Sequence, residues 1–194
     1  MAGSDARSFH CADSTGGLVT VTLVLGGARS GKSRLAESLS RGERHYIATA
    51  QAFDDEMRDR IAKHQAQRGA GWVMHEEALA LPLKLAEIDS GDRFILVDCL
   101  TLWLSNLILS DHDWEEPTTA LTSVLAGVAA DVVLVSNEVG LSIVPDNALG
   151  RRFRDAQGLL NQRVAAVADT VLFVAAGLPL VLKGSMPAVP PRQT

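Results

Sequence analysis

The sequence predicts an α/β fold, a mostly parallel sheet flanked on both faces by helices. Three observations carry this. Apolar, β-branched runs recur at 18–25 (LVTVTLVL), 44–49 (RHYIAT), 93–98 (RFILVD), 131–136 (DVVLVS) and 169–177 (DTVLFVAAG). Helical patterns fill the spaces between them, near 32–41, 54–68, 77–88, 99–110, 117–130 and 147–168. The runs are continuously apolar rather than alternating, as in strands covered on both faces. Strands of that kind, alternating with helices, make a parallel sheet wrapped by helices.

Taken in chain order, residues 1–17 (MAGSDARSFHCADSTGG) are small, polar and aperiodic, and read as a flexible extension. Residues 18–184 show no repeat and no linker, and read as one domain. LPLVLKG (178–184) is expected as a last edge strand. The end, GSMPAVPPRQT, has three prolines in eleven residues and cannot form a core strand or helix. Residues 185–194 are therefore expected as a flexible tail.

Composition narrows the function. The chain has 194 residues, 47% hydrophobic and 21% charged, enough for a core without disulfides or metals. The net charge of −5 argues against a nucleic-acid partner held by phosphate electrostatics. No window is apolar enough to predict a membrane span, and the start lacks a signal-peptide pattern. Cys11 and Cys99 form no disulfide framework and read as free thiols of a reducing, cytoplasmic setting.

The first strand runs into GGARSGKS: Gly26, Gly27, Ala28, Arg29, Ser30, Gly31, Lys32 and Ser33. This matches G-x-x-x-x-G-K-[ST] without departure. Backbone N–H groups must wrap a phosphate closely, and glycines permit the approach that a Cβ blocks. Lys32 places a charge on the β- and γ-phosphates, and the Ser33 hydroxyl is a Mg²⁺ ligand. The fold class sharpens to a three-layer P-loop NTPase, RecA-like. FILVDC supplies Asp98 at a strand's carboxyl end, where ligands of open α/β sheets bind. Its reading is a Mg²⁺ holder, direct or through water; a helix N-cap is the plainer alternative.

A P-loop leaves switches, motors and small-molecule kinases open. SNEVG (136–140) is the nearest stretch to a guanine-reading N-K-x-D motif, and it lacks the lysine and aspartate. The length leaves little room for motor machinery, so a metabolic transferase is favoured. Asn137 and Glu138 are expected at the sheet's carboxyl edge. The helix beyond, capped by Asp146 or Asn147, carries Arg151, Arg152, Arg154 and Arg163, either solvated or in contact with anions. Asn161 and Gln162 on it are open between substrate contact and structural hydrogen bonding.

DDEMRDRIAKHQAQRG (54–69) reads as an amphipathic helix with Asp54 and Asp55 in its first turn. Met57, Ile61, His64 and Arg68 share one face. His64 is either a half-buried surface histidine or a nucleophile, and the stretch alone does not decide. His10, His45, His75 and His112 have no motif around them.

GGARSGKSRLAE, YIATAQAFDDEMRDRIAKHQAQR, LVDCLTLWLSNL, VVLVSNEVGLSIVPDNALGRRFRDAQGLLNQRVAAVAD and the closing LVLKG together resemble one family. It is the bifunctional adenosylcobinamide kinase and adenosylcobinamide-phosphate guanylyltransferase family of cobalamin biosynthesis. The resemblance runs from about residue 20 to 184. It implies that ATP or GTP phosphorylates adenosylcobinamide. GTP then loses pyrophosphate to leave GMP on a histidine, and adenosylcobinamide phosphate takes the GMP to give adenosylcobinamide-GDP. The nucleophile falls in an R-I-x-x-H segment, here Arg60, Ile61 and His64. Neutral imidazole is a competent nucleophile near pH 7. The implied catalytic residues are His64 and Lys32. Nucleotide contacts implied beyond the P-loop are Ala50, Gln51, Gln65, Ala66, Gln67, Arg68, Glu76 and Asp98. Glu76 or Asp98 could accept from guanine N1 and N2 donors or hold the metal. Relatives assemble as trimers whose neighbouring subunits build the site, so a homotrimer is expected. The stretch 111–130 looks shorter than in relatives, and residues 1–17 have no counterpart. The alternatives are a P-loop small-molecule kinase without nucleotidyltransferase activity, and a nucleotide-dependent interaction module.

Overall fold

The computed structural model describes residues 20–50 and 71–188. The expected extension 1–17, the helix 54–68 and the last residues of the tail lie outside them. So do Gln51, His64, Gln65, Ala66, Gln67 and Arg68.

The elements, in chain order, are β1 (Val21–Gly26), α1 (Lys32–Ser38), β2 (Glu43–Ala48), β3 (Trp72–Glu76), α2 (Leu81–Ile88) and β4 (Arg93–Asp98). Then follow α3 (Leu100–Leu109), α4 (Glu115–Leu125), β5 (Asp131–Asn137), α5 (Ala148–Val167), β6 (Thr170–Ala175) and β7 (Leu178–Lys183). The strands form one sheet in the order β3-β2-β4-β5-β1-β6-β7. Every pairing is parallel except β6 with β7. The strand after the phosphate loop is thus not its neighbour; β5 separates β1 from β4.

Period-two alternation between two covered faces explains why the central strands are mostly apolar. Leu23 and Leu25 of β1, Ile95 and Val97 of β4, and Val132 and Leu134 of β5 point to one face. There they pack on Leu81 and Leu85 of α2, Trp103 and Leu107 of α3, Leu121 of α4 and Leu160 of α5. Val24, Tyr46, Leu96, Val133 and Val135 point to the other face, with Ala36 of α1 and Leu39 just beyond its end. Each fully buried large apolar side chain contributes roughly 1.5–3 kcal/mol over its exposed state. Both faces being covered, no polar position survives inside β4 between Arg93 and Asp98.

Three larger differences from the sequence expectation stand out among the described residues. β3 was not foreseen, because an edge strand whose Val73 and Met74 stay exposed leaves no apolar run to read. The second helix begins at Leu81 rather than 77, since the Glu77 carboxylate accepts hydrogen bonds from Leu79 N (2.9 Å) and Ala80 N (2.7 Å). That local bonding competes with helix in the residues it ties down. α4 stops at Leu125, five residues early, ahead of Gly127. The Asp89 carboxylate then holds Ala129 N and Ala130 N, turning the chain into β5.

Candidate functional site

Gly26, Ala48, Glu76, Asp98 and Asn137 end five parallel strands, and so lie along one carboxyl edge of the sheet. β1 delivers the chain to this edge and the phosphate loop turns back over it. A Cβ on Gly26 would lie 2.5 Å from Ser30 Oγ and 2.6 Å from the Val174 carbonyl oxygen, so only glycine fits there. Gly31 has φ 97°, the left-handed region, and Arg29 has φ 56°. Left-handed residues flanking Ser30 turn successive N–H groups toward a common centre, an anion-binding concavity. Lys32 closes the loop, its Nζ donating to the Gly27 carbonyl at 3.1 Å. Burial holds the Lys32 ammonium below the ordinary lysine range, against the opposing pull of the Asp98 carboxylate. A half-buried cation at the mouth of this loop is placed to take a phosphate.

Asp98 faces this loop from β4. Tyr46 of β2 donates its hydroxyl to Asp98 Oδ2 at 2.9 Å. The N-cap alternative for Asp98 is not realised: Cys99 is the cap residue of α3, with no side-chain cap bond. Behind Asp98, Thr49 ties the strand ends together. Its hydroxyl donates to Cys99 O (2.7 Å) and accepts from Cys99 N (2.8 Å). Asn106 of α3 donates to the carbonyls of Thr49 (2.8 Å) and Ala78 (3.0 Å). Burial, reinforced by the Asp98 charge, pushes the Cys99 thiol up to about 12, so it stays protonated and unreactive.

Register places Glu76 and Asp98 on either side of Ala48, at the same level of the sheet. They stand two strand spacings apart, roughly 10 Å at ~4.8 Å per spacing. Glu76 is exposed, whereas Oε1 of its neighbour Glu77 accepts from Leu79 N and Ala80 N, so the two acids of WVMHEE have different surroundings.

Asn137 stands opposite Gly26 and is clamped from behind. Its N–H donates to the Thr101 hydroxyl at 2.8 Å, and its carbonyl accepts from Asn161 Nδ2 at 3.1 Å. Asn161 Oδ1 accepts from the buried Ser136 hydroxyl (2.7 Å) and from Gln157 (3.0 Å). The question left open for Asn161 resolves as structural. The N-cap of α5 is Asn147, whose side chain accepts from Gly150 N at 2.7 Å. Arg151 donates to the carbonyls of Pro145 and Asp146, Arg154 pairs with Asp155, and Arg163 pairs with Glu115 and lies over Trp114. Three of the four arginines on this helix therefore buttress the fold.

His45, without a role in the sequence, is buried between Glu43 Oε1 (2.8 Å) and His75 Nε2 (2.9 Å). Desolvation and the His45 charge push His75 below its ordinary range. Tyr46, Thr49 and Asn106 are the site residues that sequence reasoning missed. Nothing local marks them, because each acts across strands distant in sequence.

A family model described as "Cobinamide kinase / cobinamide phosphate guanyltransferase" matches residues 22–182, from the first strand to the last. The chain belongs to this family. It is a bifunctional enzyme of cobalamin biosynthesis, with kinase and guanylyltransferase activities. It is 49% identical over 167 residues to the bifunctional adenosylcobalamin biosynthesis protein CobP of Pseudomonas aeruginosa, covering 84% of this chain and 96% of that one. It is 39% identical over 178 residues to CobU of Salmonella typhimurium, covering 83% of this chain and 98% of that one. The cobinamide kinase / guanyltransferase match spans the phosphate loop, Asp98 and β3 alike, so all described site elements fall within the matched residues. No helix among the described residues is long and apolar enough to cross a membrane.

Proposed function

We propose that both family reactions run at the carboxyl edge of this sheet, in the cytoplasm, on adenosylcobinamide and then adenosylcobinamide phosphate. The observation that supports it most is the juxtaposition of an intact phosphate loop with the Tyr46–Asp98 pair on a neighbouring level of the same edge. In the first reaction the acceptor's hydroxyl oxygen bonds to the γ-phosphorus of ATP or GTP, the nucleoside diphosphate leaves, and the hydroxyl proton passes to solvent. Lys32 balances charge that builds on the phosphate oxygens. The loop's N–H groups hold those oxygens in line, which is most of what phosphoryl transfer asks of a protein.

Ser33 and Asp98 would hold Mg²⁺. The donor set fits: a hydroxyl and a carboxylate are hard oxygen ligands, and few protein ligands suffice when phosphates and waters complete the octahedron. Tyr46 occupies only Oδ2, leaving Asp98 Oδ1 for that task. When bound, the ion would supply neutralisation of charge on the donor's phosphates.

In the second reaction a His64 ring nitrogen bonds to the α-phosphorus of GTP and pyrophosphate leaves. A phosphate oxygen of adenosylcobinamide phosphate then displaces the imidazole. Ala50, Gln51, Gln65, Ala66, Gln67, Arg68 and Glu76 are the remaining nucleotide contacts of this reading. The acceptor is a small molecule, and no nucleic acid takes part.

The active assembly is a homotrimer. β7 is exposed along its whole length, with Leu178 at 73%, Leu180 at 61% and Leu182 at 56% of their surface in solvent, which suits a covered subunit face. Light scattering gives the mass. The functional test is mass spectrometry of the corrinoid after incubation with ATP, then with GTP. Successive gains of a phosphate and of GMP are expected. A corrinoid that stops at the phosphate supports the kinase-only alternative.

A further inference from the structure

Asn137 ends the one strand that lies between the strand of the phosphate loop and the strand of Asp98. Its register sets it against Gly26, and the N–H of the next residue, Glu138, donates to the Gly26 carbonyl at 3.1 Å. Strand alternation sends Ser136 one way, to Gln157 and Asn161 of α5, and Asn137 the other. Asn137 therefore shares the α1 side of the sheet with Val133 and Val135, and Asp98 shares it with Leu96. Lys32 is the first residue of α1 on that side. Asp98 pairs with Val135, one strand across and two residues back, which puts the Cα atoms of Asp98 and Asn137 roughly 8 Å apart at ~4.8 Å per spacing and ~3.3 Å per residue.

Two features mark this residue. Its side-chain Oδ1 is buried and meets no hydrogen-bond partner among the described residues, which is costly unless a ligand supplies one. Its backbone, by contrast, is held from two helices: Thr101 of α3 accepts from the N–H, and Asn161 of α5 donates to the carbonyl. Thr101, Ser136, Gln157 and Asn161 are all buried, so an apolar core carries four polar side chains around one strand end. Core packing alone does not call for them. A polar group fixed before its ligand arrives does. The neighbouring Glu138 is turned to its own loop, its Oε1 accepting from Gly140 N at 2.6 Å.

We propose that Asn137 is a catalytic residue of cobinamide phosphorylation, its side-chain amide bridging the donor's γ-phosphoryl group and the acceptor hydroxyl. Nδ2 donates to a γ-phosphoryl oxygen. Oδ1 accepts from the hydroxyl and so turns its lone pair toward the γ-phosphorus. The new oxygen–phosphorus bond forms, the bond from the γ-phosphorus to its bridging oxygen breaks, and the hydroxyl proton passes to solvent. This rests on the two-reaction reading above. Guanylyl transfer reacts at the α-phosphorus, two phosphates away, and makes no use of this amide.

The test is steady-state kinetics of the full-length protein, wild type and Asn137→Ala, with each reaction assayed alone: adenosylcobinamide with ATP, and adenosylcobinamide phosphate with GTP. Thr101 and Asn161 bond only backbone atoms of Asn137, so the variant is expected to fold, and its unfolding temperature checks this. The kcat of phosphorylation is expected to fall about 100-fold, with KM for ATP and the rate of guanylyl transfer each within about threefold. A phosphorylation kcat within about tenfold of wild type, or an equal loss in both reactions, overturns the proposal. Asn137→Leu, similar in volume but without the amide, is expected to match Asn137→Ala, and carries the same test if the alanine variant does not fold. A leucine variant that phosphorylates at the wild-type rate shows a packing role and overturns the proposal too. Should the wild type phosphorylate no cobinamide at all, the two-reaction reading fails and takes this role with it.

Discussion

Tyr46 reaches from β2 to β4 and donates its hydroxyl to Asp98 Oδ2 at 2.9 Å. Tyr46 is almost wholly buried, so the bond is shielded from water. It leaves one Asp98 oxygen committed and one available. Removing the donor while keeping the ring should cost about 0.5–1.5 kcal/mol in stability. Tyr46→Phe is therefore expected to fold, with kcat for cobinamide phosphorylation reduced several-fold and more Mg²⁺ needed for half-maximal rate. Asp98→Asn is expected to lose the rate roughly 100-fold or more. Steady-state kinetics across a Mg²⁺ titration separates the two variants. Equal loss in both contradicts the division of roles between the oxygens.

Lys32 carries a second prediction. Its pKa is lowered chiefly by burial. The free protein therefore releases that proton at a pH below the ordinary lysine range, and a neutral amine attracts phosphate poorly. ATP affinity is expected to fall on the alkaline side earlier than an exposed lysine would allow. Lys32→Arg, whose guanidinium stays charged, is expected to lack that alkaline limb while binding more weakly overall. Isothermal titration between pH 7 and 10 reads both. The sign for stability is the same way round: the folded chain binds fewer protons than the unfolded chain here, so stability rises with pH through this window.

The His45–His75 pair predicts acid sensitivity. The folded pKa of His75 is depressed, mainly by desolvation. Its contribution is present in full above its unfolded pKa of about 6.5 and is lost as pH falls toward the folded value. Urea unfolding at pH 7.5 and 5.5 should show a decrease at the lower pH that is smaller in His75→Gln. The other charges around the pair, Glu43, Lys84, Glu87 and Arg93, remain in both proteins. An identical decrease in the variant places the acid sensitivity elsewhere.

Much of this was legible in the sequence, for a physical reason. A strand buried on both faces is apolar at nearly every position, so β1, β4 and β5 announced themselves. The phosphate loop did too, since Gly26 and Gly31 answer constraints that no other residue meets. β3 stayed hidden because a half-exposed edge strand has no such constraint. Tyr46 stayed hidden for another reason. Its apolar ring reads as core, and only the register of β2 on β4 brings its hydroxyl to a carboxylate 52 residues away. The arginines of α5 invited an anion reading, yet local carbonyls and carboxylates occupy three of them.

The most direct measurement uses GTP labelled at the α-phosphorus, and separately at the γ-phosphorus, with the wild type and His64→Ala. The account predicts α-label on the wild-type protein, stable in alkali and lost in acid, as a phosphoramidate is. It predicts none on His64→Ala, which should still phosphorylate cobinamide. Undiminished α-label on the variant, or no α-label on an active wild type, contradicts transfer through position 64.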